Sequence, residues 1–295
     1  MSGPLDLVTG AFGNTGAAIA DRLLAAGHEV RTLTDHPGRD PRMACLPHAF
    51  GDPARLAEAF AGVTTFYNTY WQRTGDDHGR YDAAVDRCAQ LIGAAEAAGV
   101  QRIVHLSVVK PDLDSPYPYF RGKAMVEARL AASVMPAAVV RPALIFGGDA
   151  ALLNNLAYLL RRAPVFAVAG DGGYRVRPVH VDDVADLCVA AGSRADRTTV
   201  DAVGPERPTF LELVTSLRAA IGSRTRIVRA PPRAVLAAGR LIGAILREQL
   251  LTRDELISTM EGLADADGPA TGPTLLSGWL DAHGAELGRT GPRRH

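Results

Sequence analysis

The feature that most constrains this sequence is a glycine-rich turn between a predicted strand and a predicted helix. An apolar run over residues 5–8 is followed by Gly10, Gly13 and Gly16, and then by a helix-forming stretch. Such a run is typical of a strand buried on both faces of a parallel sheet. Glycines let a phosphate approach the backbone, and the N–H groups and dipole of a helix N-terminus favour its negative charge. The sequence therefore predicts a nucleotide diphosphate site, with a glycine-rich surface turn as the alternative.

Composition limits the partners that we expect. The 295 residues carry 32 basic and 32 acidic side chains, and this neutrality gives no electrostatic footprint for nucleic acid or an anionic membrane. Three widely spaced cysteines, Cys45, Cys88 and Cys188, favour reduced thiols over a disulfide framework or a metal site. The first strand begins by Leu5, which leaves no space for a signal peptide, and the apolar stretch over 234–251 is too short and too charged to span a bilayer. We expect a cytoplasmic protein that binds a small-molecule substrate, no metal, no nucleic acid and no membrane, with a homo-oligomer left open.

Strand-like and helix-like segments alternate through the first half of the chain. This alternation predicts an α/β fold, a Rossmann-type doubly wound parallel sheet with a small α+β C-terminal substrate subdomain. The NAD(P)-binding domain is expected to cover residues 1–150 and the substrate-facing subdomain residues 151–264, with a return of its strands to the main sheet left open. Residues 265–295 are predicted to be a linker and C-terminal tail, because glycine, proline and acidic residues are frequent there.

The ends of the second and third strands are expected beside the adenosine half of a dinucleotide. Asp35 follows the second strand, where a carboxylate accepts hydrogen bonds from ribose hydroxyls and repels a 2′-phosphate, so it favours NAD. Arg39 would attract that phosphate and leaves NADP open, and Asp35 is alternatively a solvated loop carboxylate. A third strand is expected to end at residues 49–53, where Asp52 accepts from the adenine amino group or caps the next helix, two compatible roles.

A Tyr-x-x-x-Lys pair, Tyr119 and Lys123, lies in a predicted helix that enters at Pro118. Residues four apart share one helical face, and an ammonium beside a phenol favours the phenolate and lowers the pKa of the tyrosine. Ser107 ends the preceding predicted strand and is expected to donate to the same substrate oxygen. Such a pair alone occurs by chance in many helices, but its position behind a strand-end serine makes it much more specific.

The carboxyl ends of parallel strands meet at one edge of a sheet, which predicts the remaining members of the site. The predicted cofactor-binding residues are Gly10, Phe12, Gly13, Asn14, Thr15, Gly16, Asp35, Arg39, Asp52, Asn68, Thr69, Lys123 and Pro142. The predicted substrate pocket consists of Tyr70, Trp71, Val108, Val109, Ala143 and Asn155, with core or lid packing as the alternative for its two aromatic residues.

The order of these motifs resembles the short-chain dehydrogenase/reductase superfamily in its extended and atypical branches, which include NmrA-like and NAD-dependent epimerase/dehydratase-like proteins. Residues 9–16, TGAFGNTG, are similar to the family's Thr-Gly-x-x-Gly-x-x-Gly turn. Arg141-Pro142 followed by Phe146-Gly147, and the stretch over residues 178–185, are similar to two further elements of the extended branch.

The resemblance implies an activity as well as a fold. It implies NAD(H) or NADP(H) as cofactor and a reductase, dehydrogenase or epimerase that acts on a small carbonyl or hydroxy compound by hydride transfer. In the family's mechanism Tyr119 would be the acid/base, Lys123 would hold the nicotinamide ribose and Ser107 would polarise the substrate carbonyl. Some atypical relatives bind the dinucleotide without turnover, as redox-sensing regulators or as an accessory subunit of respiratory complex I, and this sensor or scaffold role is the alternative. The candidates to hold the diphosphate of a sugar nucleotide are Arg161, Arg162 and Arg177.

Overall fold

The computed structural model describes residues 3–35, 40–71, 79–246 and 252–291. The chain divides into two compact units, of which the first comprises Met1–Pro142 and Val181–Asp201 and the second Ala143–His180 and Ala202–His295. The functional boundaries predicted at residues 150 and 264 stay predictions.

The described residues form strands and helices that alternate along most of the chain. The strands are β1 (Leu5–Val8), β2 (Glu29–Leu33), β3 (Met43–Leu46), β4 (Thr65–Asn68), β5 (Arg102–Leu106), β6 (Ala137–Pro142), β7 (Leu144–Phe146), β8 (Val165–Ala169), β9 (Pro178–His180), β10 (Thr198–Ala202) and β11 (Arg226–Ala230). The helices are α1 (Asn14–Ala25), α2 (Pro53–Phe60), α3 (Gly79–Ala97), α4 (Pro118–Ala131), α5 (Ala151–Arg162), α6 (Val181–Gly192), α7 (Phe210–Ala220), α8 (Pro232–Leu246), α9 (Arg253–Met260) and α10 (Leu276–His283).

The first unit is built on a seven-stranded sheet with the order β10-β6-β5-β4-β1-β2-β3. The adjacent pairs from β3 to β6 are all parallel. The strand order reverses beside β1, because β2 follows on one side and β4 lies on the other, and ligands of such sheets bind outside the strand ends at this point. The predicted Rossmann-type fold is confirmed.

Helices cover both faces of this sheet. On one face α2, α3 and α4 close a core that includes Phe60, Phe66, Leu91 and Ile103, and on the other α1 packs against α6. Phe60 and Phe66 are fully buried, with ring centroids 4.9 Å apart in an edge-to-face arrangement. Full burial of such a side chain contributes about 1.5–3 kcal/mol. The continuous apolar runs of the central strands follow from this double cover.

The predicted end of the third strand was wrong. β3 ends at Leu46, and the residues predicted to end it belong to the connection that leads into α2. β3 is the edge strand of the sheet, and its side chains are only partly buried, so it lacks the apolar run that marks the central strands. Asp52 caps α2, because its carboxylate accepts the main-chain N–H of Arg55 at 3.2 Å.

The second unit has two small parallel sheets, β7 with β9 and β8 with β11, beside a core shared by α5, α7 and α10. Residues 265–273 contain neither helix nor strand, as a linker would, but they are fastened at several points. The buried Arg177 donates to the carbonyl oxygens of Ala266 and Gly268 at 2.8 and 2.9 Å, and Arg207 forms a two-pronged ion pair with Asp265. The segment predicted as linker and tail is therefore packed as part of this unit, and it includes α10.

Across the described ranges, no helix has both the length and the apolar character that crossing a membrane requires. The same ranges contain no group of three or more histidine, cysteine, aspartate or glutamate side chains arranged to hold a metal ion.

Candidate dinucleotide-binding and active site

The glycine turn joins β1 to α1 and places a glycine at the N-cap of the helix. Gly10 has a φ of +67°, a conformation that L side chains rarely adopt, and the N-cap Gly13 offers no capping side chain. A Cβ at Gly16 would lie 2.1 Å from the carbonyl oxygen of Gly10, so only glycine lets the helix approach the turn this closely. The close approach of the turn to the N-terminus of α1 fits a dinucleotide diphosphate, whose negative charge the helix dipole favours.

The ends of β1 and β4 are tied together beside this turn. The hydroxyl oxygen of Thr9 accepts the main-chain N–H groups of Thr69 and Tyr70 at 3.0 and 3.1 Å, and the Thr69 hydroxyl donates to the Thr9 carbonyl. A Cβ at Gly10 would lie 2.9 Å from the Thr69 hydroxyl oxygen. The structure thus brings the predicted cofactor residues Gly10, Asn68 and Thr69 to one point of the sheet edge.

A group of aromatic rings follows the ends of β3 and β4. The His48 and Phe50 rings are stacked with centroids 5.3 Å apart, and Tyr70 lies 5.2 Å from Phe50. Arg87 donates to the Tyr70 hydroxyl at 2.9 Å and lies 5.1 Å from the centroid of Phe50. Asp35 joins the group, because its carboxylate accepts the main-chain N–H of His48 at 3.2 Å.

Tyr70 therefore lies among the residues expected at the adenosine half, although it was predicted to line the substrate pocket. Burial raises the pKa of its phenol, so the ring packs in its neutral form. His48 and Arg87 were missed by the sequence analysis, since neither belongs to a motif and Arg87 comes from the distant α3. Arg39, the predicted partner of a 2′-phosphate, lies outside the described residues.

Helix α4 carries the predicted catalytic pair on one face. The helix begins at Pro118, so Tyr119 and Lys123 lie in its first two turns. Lys123 is 3% exposed, and its ammonium donates to the carbonyl oxygen of Leu106, the last residue of β5, at 2.8 Å. The half-buried Tyr119 is separated from this bond by one helical turn. Lys123 therefore lies against the carboxyl end of β5, and Tyr119 precedes it by one turn on the same helical face.

Trp71 packs across this face of α4. The Lys123 ammonium lies 4.2 Å from the centroid of its ring, and Tyr119 meets the ring edge-on at 5.8 Å. A Cβ at Gly122 would lie 3.2 Å from the indole, so glycine at this position lets the ring lie close to the helix. Trp71 thus contacts both members of the predicted catalytic pair, which is compatible with the predicted pocket and with core packing.

Uncharged groups lie beneath the lysine. His105 on β5 is fully buried, and its pKa is well below the usual value because burial disfavours the imidazolium and the Lys123 ammonium repels it. Burial also raises the pKa of the nearby Cys88 thiol. The shifted pKa values keep both the imidazole and the thiol neutral near the Lys123 ammonium. The sequence pattern predicts no role for His105.

Ser107 forms a bond that the sequence analysis did not anticipate. Its hydroxyl donates to the Glu127 carboxylate on α4 at 2.5 Å, and Arg141 on β6 donates to both oxygens of that carboxylate at 3.0 and 2.5 Å. Val108 and Val109 follow in buried positions, and the Val109 N–H donates to the Pro142 carbonyl at 3.1 Å.

The other predicted substrate residues, Ala143 and Asn155, belong to the second unit, where Asn155 lies in α5. The candidates for a sugar-nucleotide diphosphate are bound to their own chain. Arg161 donates to the carbonyls of Leu287, Ile221 and Ala285, and Arg162 to those of Tyr158, Gly288 and Arg289. Arg177 donates to three carbonyls, two of them in the segment after residue 264. These bonds fasten the C-terminal segment and do not support the diphosphate role.

A glycine turn at the reversal point of a Rossmann sheet defines a dinucleotide-binding protein. Residues 10–193 match the NAD(P)H-binding family, and the chain belongs to this family. This match confirms the predicted cofactor as NAD(H) or NADP(H) and does not distinguish between the two.

Relatives of several kinds share this fold. A mitochondrial NADH dehydrogenase [ubiquinone] 1 alpha subcomplex subunit 9 of Arabidopsis thaliana is 26% identical over 247 residues, which are 78% of this chain and 61% of that protein. A ceramide reductase of Caulobacter vibrioides is 29% identical over 250 residues, which are 80% of this chain and 77% of that protein. Among solved structures, a nucleoside-diphosphate-sugar epimerase from Staphylococcus aureus aligns with a TM-score of 0.73 at 16% identity, covering 94% of this chain and 99% of that one. The resemblance to the extended and atypical short-chain dehydrogenase/reductases is confirmed.

Proposed function

We propose that the protein is an NAD(P)-dependent oxidoreductase, acting as a reductase, dehydrogenase or epimerase on a small carbonyl or hydroxy compound. The observation that carries the proposal is the shared helical face of Tyr119 and Lys123, with the Lys123 ammonium 2.8 Å from the Leu106 carbonyl at the end of β5. The carboxyl end of β5 belongs to the same sheet edge as the glycine turn. A phenol and an ammonium at this edge suit proton transfer beside a nicotinamide.

Each member of the pair has a separate role in the proposal. The bound dinucleotide supplies or takes up the hydride. Tyr119 gives a proton to the substrate oxygen during reduction and takes it back during oxidation. Lys123 holds the hydroxyls of the nicotinamide ribose and, as a nearby positive charge, favours the phenolate of Tyr119. Ser107 remains the proposed third residue of the site.

Within this proposal the site prefers NAD(H) to NADP(H). Asp35 follows β2, and its carboxylate is held near the His48 and Phe50 rings by the His48 main chain. A carboxylate at this point accepts bonds from the ribose hydroxyls and repels a 2′-phosphate. Gly10, Gly13 and Gly16 bind the diphosphate in this proposal.

Turnover by the wild-type protein tests the proposal directly. Purified protein is incubated with NADH or NADPH and a panel of aldehydes and ketones, and with NAD or NADP and the matching alcohols, while absorbance at the reduced-nicotinamide band is followed. We expect cofactor-dependent turnover of at least one small carbonyl or hydroxy compound. Sugar nucleotides are included with an assay for the epimer, because epimerisation leaves no net change in the cofactor.

A non-catalytic dinucleotide-binding subunit or sensor is the second candidate. The similarity to the plant NADH dehydrogenase subunit favours this candidate, and the matched part of the chain covers 61% of that subunit's length. In that case the protein would bind NAD(H) or NADP(H) tightly, turn over nothing in the panel and retain a partner protein in a pull-down.

A further inference from the structure

The face of α4 that carries Tyr119 and Lys123 continues one turn further to Glu127. Lys123 donates to the carbonyl of Leu106, and Glu127 accepts from the hydroxyl of the next residue, Ser107. Two side chains from one helical face therefore hold two successive residues at the end of β5.

The hydrogens of Ser107 are both committed in this arrangement. Its main-chain N–H donates to the Val140 carbonyl at 2.8 Å. A serine hydroxyl carries a single hydrogen, and a carboxylate only accepts, so the hydrogen in the 2.5 Å bond to Glu127 comes from Ser107. Ser107 is 3% exposed, which leaves little room for its hydroxyl to reorient. Towards any further group, the Ser107 hydroxyl can therefore act only as a hydrogen-bond acceptor.

Arg141 holds the other side of the carboxylate. Its guanidinium is always charged and forms two bonds to Glu127, an arrangement that fixes the carboxylate in a plane. The bonds to Glu127 raise the pKa of Arg141 further above its usual value. The side chain of Glu127 is 13% exposed and that of Arg141 29%, so the pair is partly shielded from water and screening is weak.

We propose that Glu127 is a positioning residue of the oxidoreductase site: it holds the hydroxyl hydrogen of Ser107, so that Tyr119 is the donor to the reacting oxygen. The inference rests on the proposed function, within which it assigns roles. In the reduction, bound NAD(P)H would supply the hydride and be oxidised to NAD(P)⁺. The carbonyl carbon gains a C–H bond as its C=O π bond breaks, and the oxygen takes the proton of the Tyr119 O–H bond, which leaves Tyr119 as the phenolate. Ser107 and Glu127 exchange no proton, and Ser107 accepts a hydrogen bond from a donor group of the ligand.

A double-mutant cycle tests the bond without needing activity. Urea unfolding is measured for the wild type, Ser107→Ala, Glu127→Gln and the double variant. We expect the effects on the unfolding equilibrium constant to be coupled by about twofold or more, as for residues in one hydrogen-bond network. Effects that simply multiply would overturn the proposal.

Kinetics test the consequence for catalysis. In carbonyl reduction we expect Ser107→Ala to lower kcat by less than about tenfold, whereas loss of a donor to the reacting oxygen costs roughly 10²–10³. Glu127→Gln is expected to lower kcat by about tenfold or more through misplacement of the groups around Tyr119, with KM within about twofold. Glu127→Asp should recover part of the loss, because it restores the carboxylate.

Glu96→Gln is the matched control. Glu96 accepts a two-pronged pair from Arg129, which also lies on α4 but beyond Glu127 from Tyr119. We expect this variant to lose stability and keep kcat and KM. Equal kinetic effects of Glu96→Gln and Glu127→Gln, or a loss of a hundredfold or more in folded Ser107→Ala, would overturn the proposal. Absence of turnover in the wild type would reject the proposed function, and the unfolding cycle would still decide whether Glu127 holds Ser107.

Discussion

The Trp71 indole covers the Lys123 ammonium, with 4.2 Å between the ring centroid and the nitrogen. The residue proposed to hold the nicotinamide ribose is thus in contact with an aromatic face, an interaction of about 0.5–2 kcal/mol. If the ribose hydroxyls accept hydrogen bonds from the Lys123 ammonium, the contact between that ammonium and the Trp71 indole has to change.

Tryptophan emission reports that change. The chain has two tryptophans, Trp71 and Trp279. We expect NAD, which does not absorb tryptophan emission, to alter the fluorescence of the wild type and of Trp279→Phe, and to leave Trp71→Phe almost unaffected. An equal response in the two variants would show that the cofactor does not act on Trp71.

Gly16→Ala should remove the cofactor site and part of the stability. The added Cβ would meet the Gly10 carbonyl at 2.1 Å, so the helix or the turn has to shift, at a cost of about 1–3 kcal/mol in the free energy of unfolding. Chemical unfolding and NAD titration measure the two effects. Gly93→Ala on α3 is the control, because its Cβ would meet no atom within 4 Å. That variant should keep NAD affinity and gain up to about 1 kcal/mol. Unchanged NAD affinity in Gly16→Ala would contradict the proposed diphosphate site.

Asp35→Asn should change the preference between the two dinucleotides. The amide keeps an acceptor for the His48 N–H and removes the charge that repels a 2′-phosphate. We expect the ratio of the Kd values for NADP and NAD to fall by about tenfold, which corresponds to about 1.4 kcal/mol. Calorimetric titration with both nucleotides measures the ratio. If the ratio of the two Kd values is the same in the variant and the wild type, Asp35 does not contribute to the choice of dinucleotide and is only a loop carboxylate.

His105 should make the protein less stable as the pH falls. The pKa of His105 in the folded state lies well below 6.5, because burial and the charge of Lys123 disfavour the imidazolium. Below pH 6.5 the imidazole of the unfolded chain is therefore protonated while that of the folded chain stays neutral. The His105 contribution is complete above pH 6.5 and is lost towards lower pH, with a slope of up to about 1.4 kcal/mol per pH unit. Urea unfolding at pH 5 and pH 7.5 measures it. His105→Leu should have a shallower dependence than the wild type, and the exposed His283→Gln should not. The same slope in all three proteins would contradict this assignment.

The parts of the structure that depend on local chain geometry could be predicted from the sequence. Gly10, Gly13 and Gly16 predict the turn because a strand, three glycines and a helix lie in sequence. Tyr119 and Lys123 share a face because four residues make about one helical turn. The end of β3 was missed because an edge strand carries a weak apolar pattern.

Contacts between distant residues could not be predicted. Glu127 continues the spacing of Tyr119 and Lys123, but its bonds to Ser107 and Arg141 depend on β5 and β6 being neighbours beneath α4. Tyr70 follows β4 and contacts Phe50, which follows β3, although β1 and β2 lie between these two strands in the sheet. Motifs alone contain no such information.

The central claim is that Tyr119 transfers the proton in a dinucleotide-dependent reaction. Tyr119→Phe keeps the ring that contacts Trp71 and removes only the hydroxyl. Single-turnover reduction of a carbonyl substrate by NADH or NADPH is compared between this variant and the wild type, together with the Kd of the cofactor. We predict a rate lower by about 10²–10⁴ with the Kd within twofold, as expected for loss of a general acid. A variant that reduces the substrate as fast as the wild type would contradict the account.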